Sequence, residues 1–130
     1  FFEIIAQANQ KVISTNVVDD LKVSINDTEL ERLIDNNISN AIKHSNDNSE
    51  IKVVLERKSN PGIILKFISK GNNIRNINKL FDKNYTESHG AKRSLGLGLN
   101  MVKTICEKNH IEYSAYSIDN TNTFSYIFKV

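Results

Sequence analysis

Apolar residues recur at spacings of three and four along three segments of the chain. This periodicity predicts helices over residues 1–15, 28–45 and 97–108. The middle helix has a long apolar face, and Thr28 followed by Glu31 predicts a capping box at its start.

Alternation of apolar and polar residues predicts extended strands between these helices. The predicted strands are residues 21–25, 51–57, 63–69, 112–118 and 124–130, with a short helix over 74–81 and a polar loop over 82–94. Short turns separate residues 51–57 from 63–69 and residues 112–118 from 124–130, so each of these two pairs is expected to form a hairpin. Since strand and helix do not alternate one for one, the pattern favours an α+β fold. We expect a two-layer α/β sandwich with a mixed sheet and three main helices on one face.

Length and composition place the chain among single soluble globular domains, with 130 residues, 39% apolar and 25% charged. The net charge of +2 is small, and basic residues are interleaved with acidic ones, which disfavours nucleic-acid binding. One cysteine, Cys106, excludes an internal disulfide and suits a reducing compartment. No apolar run has the length of a membrane span. Because the chain begins at Phe1 and not at a methionine, we expect a cytoplasmic piece of a longer protein, with or without a membrane anchor elsewhere.

The middle predicted helix carries a polar stripe beside its apolar face, formed by Asn36, Asn40 and Lys43, with His44 at the far side of the stripe. An amide oxygen is a suitable ligand for Mg²⁺, which often takes only one or two ligands from protein and the rest from phosphates and water. Eighteen of the residues are asparagine, however, so a solvated polar face explains the same stripe.

A second candidate for chemistry is the segment RSLGLGLNMVKTICEKNH, residues 93–110. Gly96 and Gly98 precede or open the third predicted helix, whose N-terminal N–H groups and dipole suit an anion such as a phosphate. Alternatively, the glycines only allow Leu97 and its neighbours to pack closely. The motif alone leaves both interpretations open.

Taken in order, three segments resemble the ATP-binding catalytic domain of sensor histidine kinases, part of the superfamily shared with gyrase, Hsp90 and MutL. They are LIDNNISNAIKHS (33–45), LFDKNY (80–85) and SLGLGLNMVK (94–103). The resemblance runs from about residue 20 to the C-terminus. It implies a two-layer ATP-binding fold with a mobile lid over the nucleotide, and ATP and Mg²⁺ as cofactors.

The resemblance also implies roles for the polar stripe. Asn40 matches the asparagine that binds Mg²⁺, and Asn36 matches the polar position facing the triphosphate. Lys43 and His44 match residues that flank the nucleotide. Asn36 and Lys43 are therefore the candidate catalytic residues.

Further matches fall around the lid and the glycine segment. Phe81 and Tyr85 match the aromatic motif at the base of the lid, which would be residues 82–94. The phosphate-contacting loop and helix start match Gly96, Leu97, Gly98 and Leu99. From their position and charge, Lys92 or Arg93 would add positive charge near the phosphates, although a solvated basic pair accounts for them as well.

The sequence departs from the family where the adenine base is bound, in the stretch SKGNNI. Ser69 stands where the resemblance implies an aspartate, Gly71 is retained, Asn73 replaces a second glycine and Ile74 follows. Asn73 is expected to adopt a left-handed backbone, which asparagine tolerates. Replacing a charge-assisted hydrogen bond by a neutral one predicts ATP affinity lower by about tenfold.

Partners follow from the same resemblance. None of His44, His89 and His110 is in the context of a phosphoacceptor, so the acceptor histidine is expected on a dimerisation domain of the same protein, with a response regulator beyond it. Residues 1–15 would connect to that domain, and residues 16–130 would form the ATP-binding domain. Two alternatives remain: a degenerate nucleotide-binding fold that serves in protein interaction or regulation, supported by Ser69, and a serine kinase of the anti-sigma type.

Overall fold

The computed structural model of the chain describes residues 12–17, 25–58, 62–82 and 98–129. These residues form five strands, two α-helices and a short 3₁₀ turn. In chain order they are β1 (Val12–Val17), α1 (Asp27–His44), β2 (Glu50–Lys58), β3 (Gly62–Lys70), the 3₁₀ turn (Ile77–Lys79), α2 (Gly98–Lys108), β4 (Glu112–Ile118) and β5 (Thr121–Lys129).

The five strands form one sheet in the order β1-β2-β3-β5-β4. β1 is parallel to β2, whereas β2–β3, β3–β5 and β4–β5 are antiparallel pairs. In β5, Tyr126 pairs with Leu65 of β3 on one side and with Tyr113 of β4 on the other. The prediction of a mixed sheet in an α+β fold is confirmed.

The core lies between one face of the sheet and the two helices. Alternate residues of β3 are buried, among them Ile63, Leu65 and Phe67. Leu33 of α1 and Val102 of α2 are fully buried against this face. Burial of such a side chain contributes roughly 1.5–3 kcal/mol, so the apolar stripes account for the docking of both helices. The predicted sandwich is confirmed, but the described residues contain two α-helices instead of three, and the helix predicted over 74–81 is reduced to the 3₁₀ turn.

The helix predicted over residues 1–15 is wrong for residues 12–15, the part of it that the structure describes. Residues 12–15 belong to β1, paired with β2, and not to a helix. The sequence VISTNV is rich in β-branched residues, which favour strands, and a parallel partner is supplied by β2, distant in sequence. The boundary expected between residues 15 and 16 therefore falls inside β1, while residues 1–11 and 21–24 lie outside the described residues.

Helix α1 begins one residue earlier than predicted and with a different cap. Asn26 is the N-cap, and its side-chain oxygen accepts hydrogen bonds from the backbone N–H of Thr28 (2.8 Å) and Glu29 (3.3 Å). The predicted capping box on Thr28 is therefore wrong. An asparagine at this position satisfies two of the otherwise unpaired N–H groups of the first turn.

Candidate functional site

The polar stripe predicted on α1 is present beside the helix's buried face. Asn36, Asn40 and Lys43 are each half-buried, and His44, the last residue of the helix, is exposed. Asn36 donates a hydrogen bond through Nδ2 to the carbonyl of Arg32 (2.8 Å), which leaves its Oδ1 facing outward from the helix backbone. No described residue forms a hydrogen bond with the Asn40 side chain, so none of these residues competes with a ligand for its amide oxygen.

The start of α2 lies directly against this stripe. Gly98 is the first residue of α2, and a Cβ atom at this position would lie 2.7 Å from Oδ1 of Asn36. Asn36 Nδ2 is also 3.9 Å from the sulfur of Met101, one turn into α2. The N-terminus of α2, with its unpaired N–H groups and positive dipole end, therefore lies beside the asparagines of α1. This arrangement is suited to an anion held between the two helices.

The segment SKGNNI, which was predicted to contact adenine, is hydrogen-bonded to the hairpin between β4 and β5. Gly71 N–H donates to the carbonyl of Asn120 (2.9 Å), and Asn120 N–H donates back to Oδ1 of Asn73 (2.8 Å). Ile74 N–H donates to Oγ of Ser117 on β4 (3.0 Å). These bonds fix the backbone of the segment after β3 ends.

The expected left-handed backbone at Asn73 is wrong. The described non-glycine residues with positive φ are Asn48, His110, Asp119 and Asn120. Asp119 and Asn120 form the two-residue turn between β4 and β5, where positive φ at both positions matches the twist of a hairpin. Asn73 instead contributes through its side chain, as the acceptor that holds this turn.

The same segment is joined to the C-terminal end of α1. A Cβ atom on Gly71 would lie 2.7 Å from the backbone oxygen of His44, so only glycine allows this approach. Asn46 N–H donates to the carbonyl of Lys70 (2.7 Å). The structure thus brings the asparagine motif, the glycine segment after β3 and the start of α2 to one end of the sandwich.

Two hydroxyl groups lie near this junction. Ser69, the residue in place of the expected aspartate, is 9% exposed, so a polar group does occupy this position. Ser45 is 2% exposed, and its Oγ has no hydrogen-bond partner among the described residues. The Cα of Ser45 is 3.5 Å from the position that a Cβ of Gly71 would take. A buried hydroxyl without a partner is unfavourable by about 1–3 kcal/mol, and a ligand with hydrogen-bonding groups would relieve this cost.

Phe81 is a core residue in addition to marking the base of the predicted lid. Its ring packs edge-on against Tyr113 (centroids 4.9 Å apart) and Phe124 (6.2 Å). Its carbonyl accepts a hydrogen bond from Nδ2 of Asn100 in α2 (3.2 Å). The chain is therefore anchored to the core immediately before the residues predicted to form the lid.

Of the remaining predicted contacts, Leu99 alone lies among the described residues. Tyr85, Lys92, Arg93, Gly96 and Leu97 lie outside the described residues. Leu99 is half-buried and packs against the core from the first turn of α2.

Asn37 is a polar contact of α1 that the sequence interpretation missed. It is 3% exposed and accepts a hydrogen bond at Oδ1 from the hydroxyl of Tyr126 (2.8 Å). Its burial could have been predicted from the sequence, because Asn37 lies four residues after Leu33 and four before Ala41, on the apolar face of the predicted helix.

The donor set fits a magnesium nucleotide better than a metal held by protein alone. Within the described ranges, no group of three or more His, Cys, Asp and Glu side chains is arranged to hold a metal ion. The open amide of Asn40 offers one oxygen ligand, and Mg²⁺ commonly takes its other ligands from phosphates and water. A magnesium ion here would depend on the nucleotide for most of its coordination.

Comparison with known proteins assigns the chain to a family. Residues 25–129 match the family model of histidine kinase-, DNA gyrase B- and HSP90-like ATPases, and the chain belongs to this family of ATP-binding domains. A curated relative, the sensor protein DltS of Streptococcus agalactiae serotype III (strain NEM316), is 27% identical over 120 residues. That alignment covers 88% of this chain and 30% of DltS, so the chain spans under a third of the relative's length.

Solved structures share the fold at low sequence identity. The catalytic domain of the histidine kinase ThkA in a nucleotide-free form has a TM-score of 0.86 at 20% identity, covering 98% of this chain and 84% of that one. The mycobacterial sensor histidine kinase MprB has a TM-score of 0.83 at 18% identity, covering 97% and 87%. Full-length ShkA in complex with AMPPNP has a TM-score of 0.82 at 14% identity, covering 98% and 27%. In the part of this chain that the structure describes, no helix is long and apolar enough to cross a membrane.

Proposed function

We propose that this domain holds Mg-ATP between the polar stripe of α1 and the N-terminus of α2 and presents the γ-phosphate to a histidine on a separate domain of the same protein. The observation that supports this is the close approach of Asn36 to Gly98, whose Cα is so near that an added methyl carbon would lie 2.7 Å from Oδ1 of Asn36. It brings an amide side chain and a helix N-terminus together where phosphates would need both. The fold of ShkA, which was solved with AMPPNP, supports a nucleotide as the ligand.

Each residue of the stripe has a proposed role at the phosphate end. Asn40 supplies one oxygen ligand to Mg²⁺, and Asn36 orients the triphosphate against α2. Lys43, half-buried about two turns beyond Asn36, neutralises phosphate charge, while His44 lies at the edge of the nucleotide. Phosphoryl transfer depends mainly on positioning and charge neutralisation, so this set needs no dedicated base.

Residues of the lid and the glycine segment complete the phosphate site in this proposal. Gly96, Leu97, Gly98 and Leu99 would surround the phosphates with backbone N–H groups, and Lys92 or Arg93 would add charge from the lid. Tyr85 would follow Phe81 at the lid base. These assignments follow the family motif.

At the other end of the site, the adenine ring would lie near Ser69, Gly71, Asn73 and Ile74. A serine hydroxyl offers a neutral hydrogen bond where a carboxylate would offer a charge-assisted one. We therefore expect binding that is weaker by about tenfold than in a variant with the carboxylate restored. The segment's attachment to the β4–β5 hairpin keeps the backbone in place for the ring.

The phosphoacceptor in this proposal belongs to another domain, and a response regulator receives the phosphate from it. His44 ends α1 within the nucleotide site, and His110 has a positive φ of 57° in the connection between α2 and β4. His44 thus belongs to the proposed nucleotide site itself and His110 to a connection between elements, so the proposal places the acceptor elsewhere.

Calorimetric titration of ADP and AMPPNP, with and without Mg²⁺, tests the proposal. Wild-type protein should bind both nucleotides more tightly with Mg²⁺, and Asn40→Ala should lose that difference. Ser69→Asp should bind about tenfold more tightly. Ser39→Ala serves as the matched control, because Ser39 is exposed on the same helix next to Asn40.

Absence of both heat and thermal stabilisation up to millimolar nucleotide would contradict the proposal. Ser69 would then favour the alternative function, a degenerate fold used for protein interaction. Equal loss of Mg²⁺ dependence in Ser39→Ala would show that Asn40 has no specific role.

A further inference from the structure

A polar contact lies inside the core between α1 and the centre of the sheet. Tyr126 of β5 is fully buried and Asn37 of α1 is 3% exposed. The tyrosine hydroxyl donates to Oδ1 of Asn37 at 2.8 Å, and Nδ2 of Asn37 donates to the carbonyl of Leu33 at 2.8 Å. Both ends of the Asn37 amide are therefore partnered, as a buried amide requires.

The surroundings of this contact are apolar. Leu33 is fully buried one turn earlier on α1, and the ring of Phe67 packs edge-on against Tyr126 at 6.0 Å. Burial raises the pKa of Tyr126 far above its usual range, so its hydroxyl stays a donor wherever the fold persists. Apolar contacts hold two surfaces together over a range of small rotations, whereas a hydrogen bond is directional and weakens steeply as its angle changes. The bond therefore defines one rotation of α1 about its axis.

That rotation matters because Asn37 is preceded directly by Asn36. Side-chain tips lie about 5 Å from a helix axis, so a rotation of about 20° would move Oδ1 of Asn36 by nearly 2 Å. Oδ1 is already within 2.7 Å of the position of a Cβ on Gly98, so turning α1 one way closes this gap and turning it the other way opens the site. Asn40 lies one turn further along the same stripe and would move with it.

We infer that the Asn37–Tyr126 hydrogen bond is a positioning device that sets the rotation of α1 and so aims Asn36 and Asn40 at the phosphates and Mg²⁺. Neither Asn37 nor Tyr126 touches the nucleotide. Their effect passes through the helix. This inference rests on the proposed function, since it takes the nucleotide as the ligand that Asn36 and Asn40 contact.

The test separates positioning from stability by removing the bond in two ways. Tyr126→Phe leaves the Asn37 oxygen without a donor, so the melting temperature should fall. Asn37→Leu/Tyr126→Phe removes both polar groups, so the melting temperature should return to the wild-type value or exceed it. If the bond sets the rotation, the double variant should nevertheless bind Mg-ADP about fivefold more weakly than wild type, because small displacements of positioning groups have large effects. A double variant that regains stability and binds Mg-ADP as wild type does would overturn the inference.

Tyr113→Phe is the matched control. Tyr113 pairs with Tyr126 in the sheet, and its hydroxyl donates to Glu107 at 3.4 Å, so its removal should change neither binding nor stability appreciably. If the double variant does not fold, Tyr126→Phe is titrated at a temperature where circular dichroism shows it fully folded. Weaker Mg-ADP binding there supports the inference, and unchanged binding overturns it.

A readout without nucleotide keeps this inference distinct from the proposed function. The side-chain amide resonances of Asn36 in a ¹⁵N-labelled sample should shift in Tyr126→Phe and in the double variant but not in Tyr113→Phe. If wild type binds no nucleotide, the proposed function fails while this spectrum still reports whether the bond sets the position of Asn36. Unshifted Asn36 resonances in both Tyr126 variants would overturn the positioning role.

Discussion

At the scale of single residues, Gly71 and Gly98 both occupy positions where a methyl group would meet a neighbour at 2.7 Å, but the neighbours differ in kind. Gly71 faces the backbone oxygen of His44, which cannot move without shifting the end of α1. Gly98 faces Oδ1 of Asn36, the free end of a side chain that has other rotamers. One glycine is therefore required by the fold and the other by the proposed nucleotide site.

This difference predicts opposite outcomes for alanine substitutions. Gly71→Ala should lower the free energy of unfolding by about 1–3 kcal/mol, because the backbone at His44 must shift to make room for the methyl group. Gly98→Ala should leave stability nearly unchanged, since alanine favours a helix by up to about 1 kcal/mol over glycine, but it should weaken nucleotide binding by displacing Asn36. Urea unfolding and calorimetric titration of both variants measure the two effects, and each variant is the control for the other. Equal losses of stability in the two would contradict the assignment.

At the scale of elements, the start of α1 depends on one side chain. Asn26 accepts hydrogen bonds from two N–H groups of the first turn, and Asp27 and Glu29 add negative charge beside the positive end of the helix dipole. Because α1 carries the asparagine stripe and much of the core, fraying at its first turn affects the whole domain.

Removal of this cap should lower the stability of the domain by a measurable amount. Asn26→Ala should lower stability by about 1 kcal/mol, corresponding to a fall in melting temperature of about 4 °C for a domain of this size. Thr28→Ala is the control, since the Thr28 side chain makes no capping bond and alanine is a good helix former. If Thr28→Ala were the more damaging of the two, the cap would have to be reassigned to threonine.

Two hairpins and both α-helices could be predicted because their signals are local. Alternation in IILKFIS and the apolar period around Leu33 and Val102 are visible within about ten residues. β1 was missed because β2, its partner among the described residues, lies beyond α1 in sequence, and short apolar spacing near Ile13 fits either a helix or a strand. The Asn37–Tyr126 bond joins residues 89 positions apart, so no local pattern could identify its partner.

For the site, the motif residues were predicted but their contacts were not. The asparagine and glycine motifs identified Asn36 and Gly98 separately, and only the fold shows that they touch. The hydrogen bonds that Ser117 and Asn120 make to the segment after β3 depend on which hairpin packs next to β3, which strand periodicity does not specify. A backbone role was predicted for Asn73 because asparagine tolerates positive φ, but its side-chain acceptor is what the structure uses.

At the scale of the whole molecule, ionisable groups in the core make stability depend on alkaline pH. Cys106 is fully buried, and burial, with a smaller effect of Glu107, raises the pKa of its thiol from 9.0 to about 12. Burial likewise raises the pKa of Tyr126. The folded state keeps both groups protonated, while the unfolded chain ionises them from about pH 9 upward. The stability that these groups provide is therefore complete below pH 9 and is lost as the pH rises toward 12.

Urea unfolding between pH 8 and pH 10 should show this linkage. The free energy of unfolding should fall by about 1–2 kcal/mol over this interval, most of it from Cys106. Cys106→Ala should be less stable at every pH because it leaves a cavity, but its decline with pH should be shallower. If the free energy of unfolding of Cys106→Ala fell with pH as steeply as that of the wild type, the thiol would not be the source of the pH dependence. In the native state the thiol should also react with alkylating agents only as fast as the domain unfolds.

β1 has a consequence for the choice of boundaries when this domain is expressed as a recombinant fragment. The family match begins at residue 25, yet the sheet begins at Val12, and β1 covers one side of β2 from Glu50 to Leu55. A recombinant fragment trimmed to the family boundary would leave that row of backbone N–H and C=O groups unpaired, and exposed strand edges recruit strands from other chains. Self-association of such a fragment would then reflect the choice of its first residue and not the oligomeric state of the protein in the cell.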